Sequence, residues 1–238
     1  MCGRYASFRE DQVLADQFAI ARIADDVRLL PPSWNVAPTD PVRIVVERPE
    51  RLEDGSLGGL ERTLRTARWG LVPSWAKDPR IGSTMINARA ETLATKPAFR
   101  RAFATRRALL PADGYYEWQA PEPGAPSKVK RPFYIHAADG APLAMAGLYE
   151  FWKVPDGSWL TTATVITTSA TDEVGHLHDR MPMSVPAENW SAWLDPGFGS
   201  DARVLLTVGV SGLAFHPVST AVNKVANDGP ELVEPVAL

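Results

Sequence analysis

The sequence predicts an α+β fold, a single domain over residues 1–238 with an antiparallel-rich β core and a few helices at its edge. Three observations lead there. Stretches rich in Val, Ile, Thr and aromatic residues come in clusters, without the regular helical crossovers that a doubly wound parallel sheet needs. The 21 prolines punctuate the whole chain, yet no segment has the composition of a linker between two halves. Hydrophobic residues make up 45% and charged residues 22%, the balance of an ordinary globular domain with a sizeable core.

The elements follow in order. "SFREDQVLADQF" (7–18) reads as a helix, with Ser7 as N-cap, Glu10 closing a capping box, and Phe8, Val13, Leu14 and Phe18 as its apolar stripe. "PPSWNVAPTDP" (31–41) is too proline-rich for a helix or central strand and reads as an ordered loop. "VRIVVE" is a strand, "RPERLEDGSLGGLE" (48–61) a hairpin excursion, and "RTLRTARWGLVPSW" a strand ending at a proline turn. "KPAFRRAFATRR" suits a short basic helix with Pro97 near its start. "ALLPADGYYEW" turns at Asp113-Gly114 and continues as a strand, and "APEPGAPSKVKRP" is an exposed loop. "FYIHAA", "LAMAGLYEFW" and "WLTTATVITTSA" are strands. "PAENWSAWL" and "SDARVLLTV" read as late helices starting at Pro186 and Ser200.

Composition removes several function classes. No run approaches the roughly 18 apolar residues of a membrane span, and Arg4, Arg9, Glu10 and Asp11 interrupt any signal-peptide pattern. One cysteine permits no internal disulfide, which suits the cytoplasm. Net charge is −3, but it is unevenly placed: residues 1–110 carry 18 Lys+Arg against 13 Asp+Glu, and residues 111–238 carry 7 against 15. A basic first half could hold phosphates, although a solvated arginine-rich face is the reading that charge alone favours. Glycine-rich phosphate loops, paired zinc-type cysteines and serine-elbow motifs do not occur. His176 and His178 would share a face and could ligate a metal if they lay on a strand, but the one cysteine is far away in sequence, so no metal and no cofactor are expected.

Cys2, directly behind the initiator methionine, is the residue with unusual chemistry. A lone cysteine is ordinarily a small buried hydrophobe. Removal of Met1 would instead give Cys2 a free α-amine beside its thiol, with ordinary pKa values of roughly 7.7–8.0 and about 8.5. Such a pair condenses with an aldehyde to an imine and then closes a five-membered thiazolidine. That chemistry needs a proton-shuttling group and a donor for the substrate oxygen. Three polar motifs in apolar surroundings could supply them: "INARAET" (86–92), "PADGYYEW" (111–118) and "GHLHDRMP" (175–182). Strand alternation puts Glu117 on the face opposite Tyr116 and Trp118, leaving either a solvent-facing charge or an active-site carboxylate.

In order, "MCGRYA", "WNVAPT", "RWGLVPSWAKD", "INARAET", "PADGYYEW", "HDRMP" and "NDGPELVEP" resemble the SRAP family, named for SOS-response-associated peptidase. The resemblance runs from residue 1 to about 235 and implies a barrel-like β core. It implies binding of abasic sites in single-stranded DNA and a covalent crosslink through Cys2, which shields the lesion. It implies that Asn87 positions the cysteine amine and the sugar, that Glu117 acts as general acid/base and in removing Met1, and that His178 assists opening of the deoxyribose. Arg4, Asn35, Trp69, Trp75, Arg89 and Arg180 fall on its DNA-contacting positions. A monomer acting at damaged DNA in the nucleoid is the matching expectation, with no membrane and no specified partner at replication forks. Two other readings stand beside it: an N-terminal-nucleophile or cysteine peptidase with His178 as base, and a non-catalytic binder of modified bases.

Overall fold

The structure, a computed structural model, describes residues 2–121, 129–170, 174–207 and 212–237. Among the described residues thirteen strands form two sheets. The first part of the chain gives β1 (Tyr5–Ser7), β2 (Arg22–Ile23), β3 (Ser33–Val36), β4 (Pro41–Arg51), β5 (Leu57–Trp69) and β6 (Asn87–Arg89). The second gives β7 (Arg107–Ala112), β8 (Gly114–Gln119), β9 (Arg131–Ala137), β10 (Leu143–Lys153), β11 (Trp159–Ser169), β12 (Arg180–Pro182) and β13 (Leu213–Pro217). Among the described residues three short α-helices, α1 (Asp11–Gln17), α2 (Arg100–Thr105) and α3 (Trp190–Leu194), sit outside the sheets.

One sheet runs β13-β9-β8-β1-β3, antiparallel throughout. The other runs β12-β11-β10-β7-β4-β5-β2, and a further parallel pairing of β11 with β5, at Thr162 with Arg68 and Ala163 with Trp69, closes β11, β10, β7, β4 and β5 into a ring. The fold is therefore α+β, antiparallel-rich and barrel-like. Alternation sorts its strands between two cores. Val42, Ile44 and Val46 of β4 and Ala108, Leu110 and Ala112 of β7 face the five-stranded sheet and join Cys2, Tyr5, Tyr115, Phe133 and Ile135. Val45 and Leu109 face the other way, onto Leu14, Phe18, Phe103 and Trp193 of the helical layer.

The chain passes from one sheet to the other between β7 and β8, at Asp113-Gly114. Asp113 is nearly buried; its carboxylate accepts from the Phe8 backbone at 2.7 Å and pairs with Arg9 Nε at 2.6 Å. Gly114 is required there because a Cβ would lie 2.5 Å from the Tyr134 ring and 2.6 Å from the Ile135 carbonyl oxygen.

Several sequence expectations change. Ser7 does not cap α1: it lies in β1, paired with Ser33, and the helix begins four residues later without a side-chain cap. Its stripe also divides, for Leu14 and Phe18 are buried, Val13 is exposed, and Phe8 instead stacks on Trp34 at 5.3 Å. The segment 31–41 is not all loop, since Ser33–Val36 forms β3. The helix expected from Ser200 does begin after a break at Gly199 (φ 56°), but it is 3-10 and follows another 3-10 piece that starts at Pro196. His176 and His178 lie on a turn rather than a strand, so alternation does not pair them. Most of the loop expected at 120–132 falls outside the described residues. No helix among the described residues is long and apolar enough to cross a membrane.

Candidate active site

Cys2 is fully buried in the core between the two sheets. Its placement follows from β1, which pairs with β8 on one side and β3 on the other. The Tyr116 N–H donates to the Arg4 carbonyl at 3.0 Å, and Cys2 Sγ rests 3.7 Å from that same oxygen. The thiol therefore lies against β8 at Tyr116. Residues 115 and 117 of β8 share the face opposite the Tyr116 ring, which packs with Trp118 and Tyr134 in a separate outer cluster. Glu117 is only 4% exposed, so its face is the interior one and the solvent-facing reading falls.

Asn87 reaches the same point from the barrel. β6 pairs in parallel with β11, Asn87 opposite Val165, and Asn87 Nδ2 donates to the Cys2 carbonyl at 2.7 Å. This bond fixes the backbone of residue 2 directly. Asn87 Oδ1 is buried without a hydrogen-bond partner. Burial pushes the Cys2 thiol well above its ordinary pKa, and the Glu117 carboxylate adds to the shift. The thiol is thus held protonated at neutral pH.

His178 stands on the turn before β12, with Leu177 and Met181 on either side of the HDR segment packing into the cluster that holds Cys2. The Arg180 N–H lies 2.9 Å from His178 Nδ1, and the Asp179 carboxylate lies 2.9 Å from the same nitrogen. His178 Nδ1 thus accepts from the Arg180 backbone, with the exposed Asp179 carboxylate beside it.

The other expected residues divide sharply. Arg89 is exposed and shares with Asn87 the face of β6 opposite buried Ala88. Trp75 is 60% exposed on a loop anchored by Trp152 Nε1, which donates to the Ala76 carbonyl at 2.7 Å. Arg180 clasps Glu91 with both terminal nitrogens, Nη2 at 3.0 Å, and also donates to the Thr167 carbonyl at 2.6 Å. It thereby ties the 86–92 motif to the 178–182 motif across β11.

Two of the expected DNA-contact residues are buried. Trp69 has no exposed surface; its ring packs edge-on against Tyr5 and its Nε1 donates to the Ile86 carbonyl at 2.9 Å, so it shapes the site from below and offers no face to a base. Asn35 is 2% exposed, and its amide donates to the carbonyls of Lys224 at 3.0 Å and Asn227 at 2.7 Å. Its Oδ1 accepts from Arg4 Nη1 at 2.7 Å, and that nitrogen also donates to the Val222 carbonyl at 2.8 Å. Asn35 and Arg4 thus pin the C-terminal segment to β1. Part of the basic first half is also neutralised: six of its 18 basic residues, Arg9, Arg22, Arg43, Arg62, Arg80 and Arg106, sit in ion pairs. Among the described residues no group of three or more His, Cys, Asp or Glu side chains could hold a metal.

A residue that sequence reasoning missed is Tyr115, buried in the Cys2 cluster beside Glu117. The period-two alternation that separates Glu117 from Tyr116 also places Tyr115 next to it, so the signal was present.

A buried cysteine at position 2 held by an asparagine and flanked by a buried carboxylate, on two sheets of which one closes into a ring, defines a class. The chain belongs to the SRAP family: residues 1–225 match the family described as SOS response associated peptidase. It is 38% identical over 238 residues to the abasic site processing protein YoqW of Bacillus subtilis (strain 168), spanning 98% of this chain and 99% of that one. It is 31% identical to the abasic site processing protein YedK of Escherichia coli (strain K12), spanning 99% and 100%, and 33% identical to HMCES of Gallus gallus, spanning 87% and 67%. A crystal structure of a Bacteroides thetaiotaomicron protein shares the fold, with a TM-score of 0.81 at 22% identity over 99% of this chain and 100% of that one.

Proposed function

We propose that this chain recognises abasic sites in single-stranded DNA and traps them as a covalent adduct on Cys2. The observation that carries the reading is the 2.7 Å bond from Asn87 Nδ2 to the Cys2 carbonyl, which holds residue 2 beside the buried Glu117. The names of the relatives, abasic site processing proteins, supply the substrate class.

The chemistry requires loss of Met1, a step in which Glu117 also serves. His178 assists opening of the deoxyribose to its aldehyde. The Cys2 amine adds to C1′ to give a carbinolamine, and Glu117 hands over the proton with which the hydroxyl leaves as water. The thiol then adds to the imine carbon, its proton passing to the nitrogen by way of Glu117. The sum is aldehyde plus aminothiol giving thiazolidine plus one water. An imine left open would permit β-elimination and strand cleavage, so ring closure shields the strand and lyase activity is the competing fate. Exposed Arg89 meets a phosphate and exposed Trp75 an unstacked base, while Arg180 contributes mainly by holding the HDR turn. The protein acts as a monomer in the cytoplasm at damaged DNA.

Incubation with abasic, uracil-containing and modified-base oligonucleotides, followed by a denaturing gel, tests this reading. A denaturant-resistant band is expected from the abasic strand alone, and Cys2→Ala should lose it. Durable crosslinking by Cys2→Ala, equal bands from all three strands, or cleavage of an unrelated peptide in its place would contradict it.

A further inference from the structure

Tyr115 is 2% exposed, and its hydroxyl has no hydrogen-bond partner. A buried hydroxyl left unmet costs stability, and phenylalanine would keep the ring and remove the cost. The ring lies on the β8 face shared with Glu117, one residue before Tyr116, whose N–H meets the carbonyl on which Cys2 Sγ rests. Asn87 Oδ1 is the second unmet polar atom of this site, on the residue that fixes the Cys2 backbone. Burial, then the nearby Cys2 and Glu117, push the phenol well above its ordinary pKa, so it stays protonated and can donate.

We infer that the Tyr115 hydroxyl donates a hydrogen bond to the oxygen on C1′ of the ring-opened sugar, both as the aldehyde and as the carbinolamine that follows amine addition. The inference rests on the proposed trapping of abasic sites and adds a substrate-contacting residue to it. Tyr115 keeps its proton throughout. It steadies the oxygen that Glu117 protonates and that departs as water, so its contribution falls on the steps before thiol closure. The unmet hydroxyl is then a group that finds its partner only when substrate is present.

Tyr115→Phe changes one atom and tests this directly. Three quantities decide it: the single-turnover crosslinking rate on an abasic oligonucleotide, thermal stability, and affinity for a strand bearing a tetrahydrofuran analogue, which lacks the C1′ oxygen. The rate should fall about three- to tenfold, with a melting temperature equal to or above wild type and unchanged affinity for the analogue. An unaltered rate would overturn the inference, and so would a slower rate accompanied by lower stability or weaker analogue binding, which marks a packing role. Wild-type protein in the same assay separates the two levels: if it forms no crosslink, the trapping reading itself fails, whereas a crosslinking wild type matched by Tyr115→Phe removes Tyr115 alone.

Discussion

Glu117 and Cys2 show what a residue-scale reading can and cannot obtain from sequence. Their presence, together with Asn87 and His178, is legible because motifs print residue types in order. Their burial is not, and burial sets the chemistry. The thiol is raised first by loss of water and then by the Glu117 charge, so replacing that charge shifts the thiol pKa downward. Glu117→Gln should therefore ionise its thiol at lower pH, followed as thiolate absorbance, yet form the adduct at least tenfold more slowly because the proton carrier is gone. Faster crosslinking, in step with the easier ionisation, would show that thiolate supply limits the reaction and that Glu117 carries no proton. Trp69 and Asn35 mark the opposite failure. Each lies in a family motif, but their indole and amide are spent on the carbonyls of Ile86, Lys224 and Asn227.

At the scale of elements, local signals lost wherever strand pairing offered more. Ser7 and Glu10 have the spacing of a capping box, but Ser7 is claimed by β1 and its partner Ser33. Prolines at 31, 32, 38 and 41 flank five residues free to pair, four of which form β3 inside a segment that reads as loop. The long hairpin of β4 and β5 was legible because its alternation continues through paired positions such as Arg48 with Glu61. The attachment of the helical layer was not. It depends on Arg107, 2% exposed, whose guanidinium donates to the carbonyls of Phe103 and Trp193, both at 2.6 Å, Ala104 at 3.0 Å, and Asp195. One side chain thus ties α2 and the end of α3 to β7. A lysine has fewer donors and no planar fork, so Arg107→Lys should cost about 3 kcal/mol and lower Tm by roughly 6–12 °C. A Tm within about 2 °C of wild type would show that packing against Trp193, and not the bonds, holds the layer.

For the whole molecule, the two sheets meet over Cys2, and neither alone makes the site. The five-stranded sheet supplies Cys2, Tyr115 and Glu117, while Asn87 and the HDR turn are carried on β11 of the ring. Chain order conceals this: Cys2 and Asn87 are 85 residues apart yet directly bonded. The family resemblance could announce that these residues belong together; only the sheet order explains how. The most direct measurement is mass spectrometry of the adduct formed with an abasic oligonucleotide, intact and after digestion. It should show a chain lacking Met1, joined to the strand with loss of one water, with both the amine and the sulfur of Cys2 bonded to C1′. A linkage through a lysine or through sulfur alone, or full reactivity in a chain that retains Met1, would contradict the account.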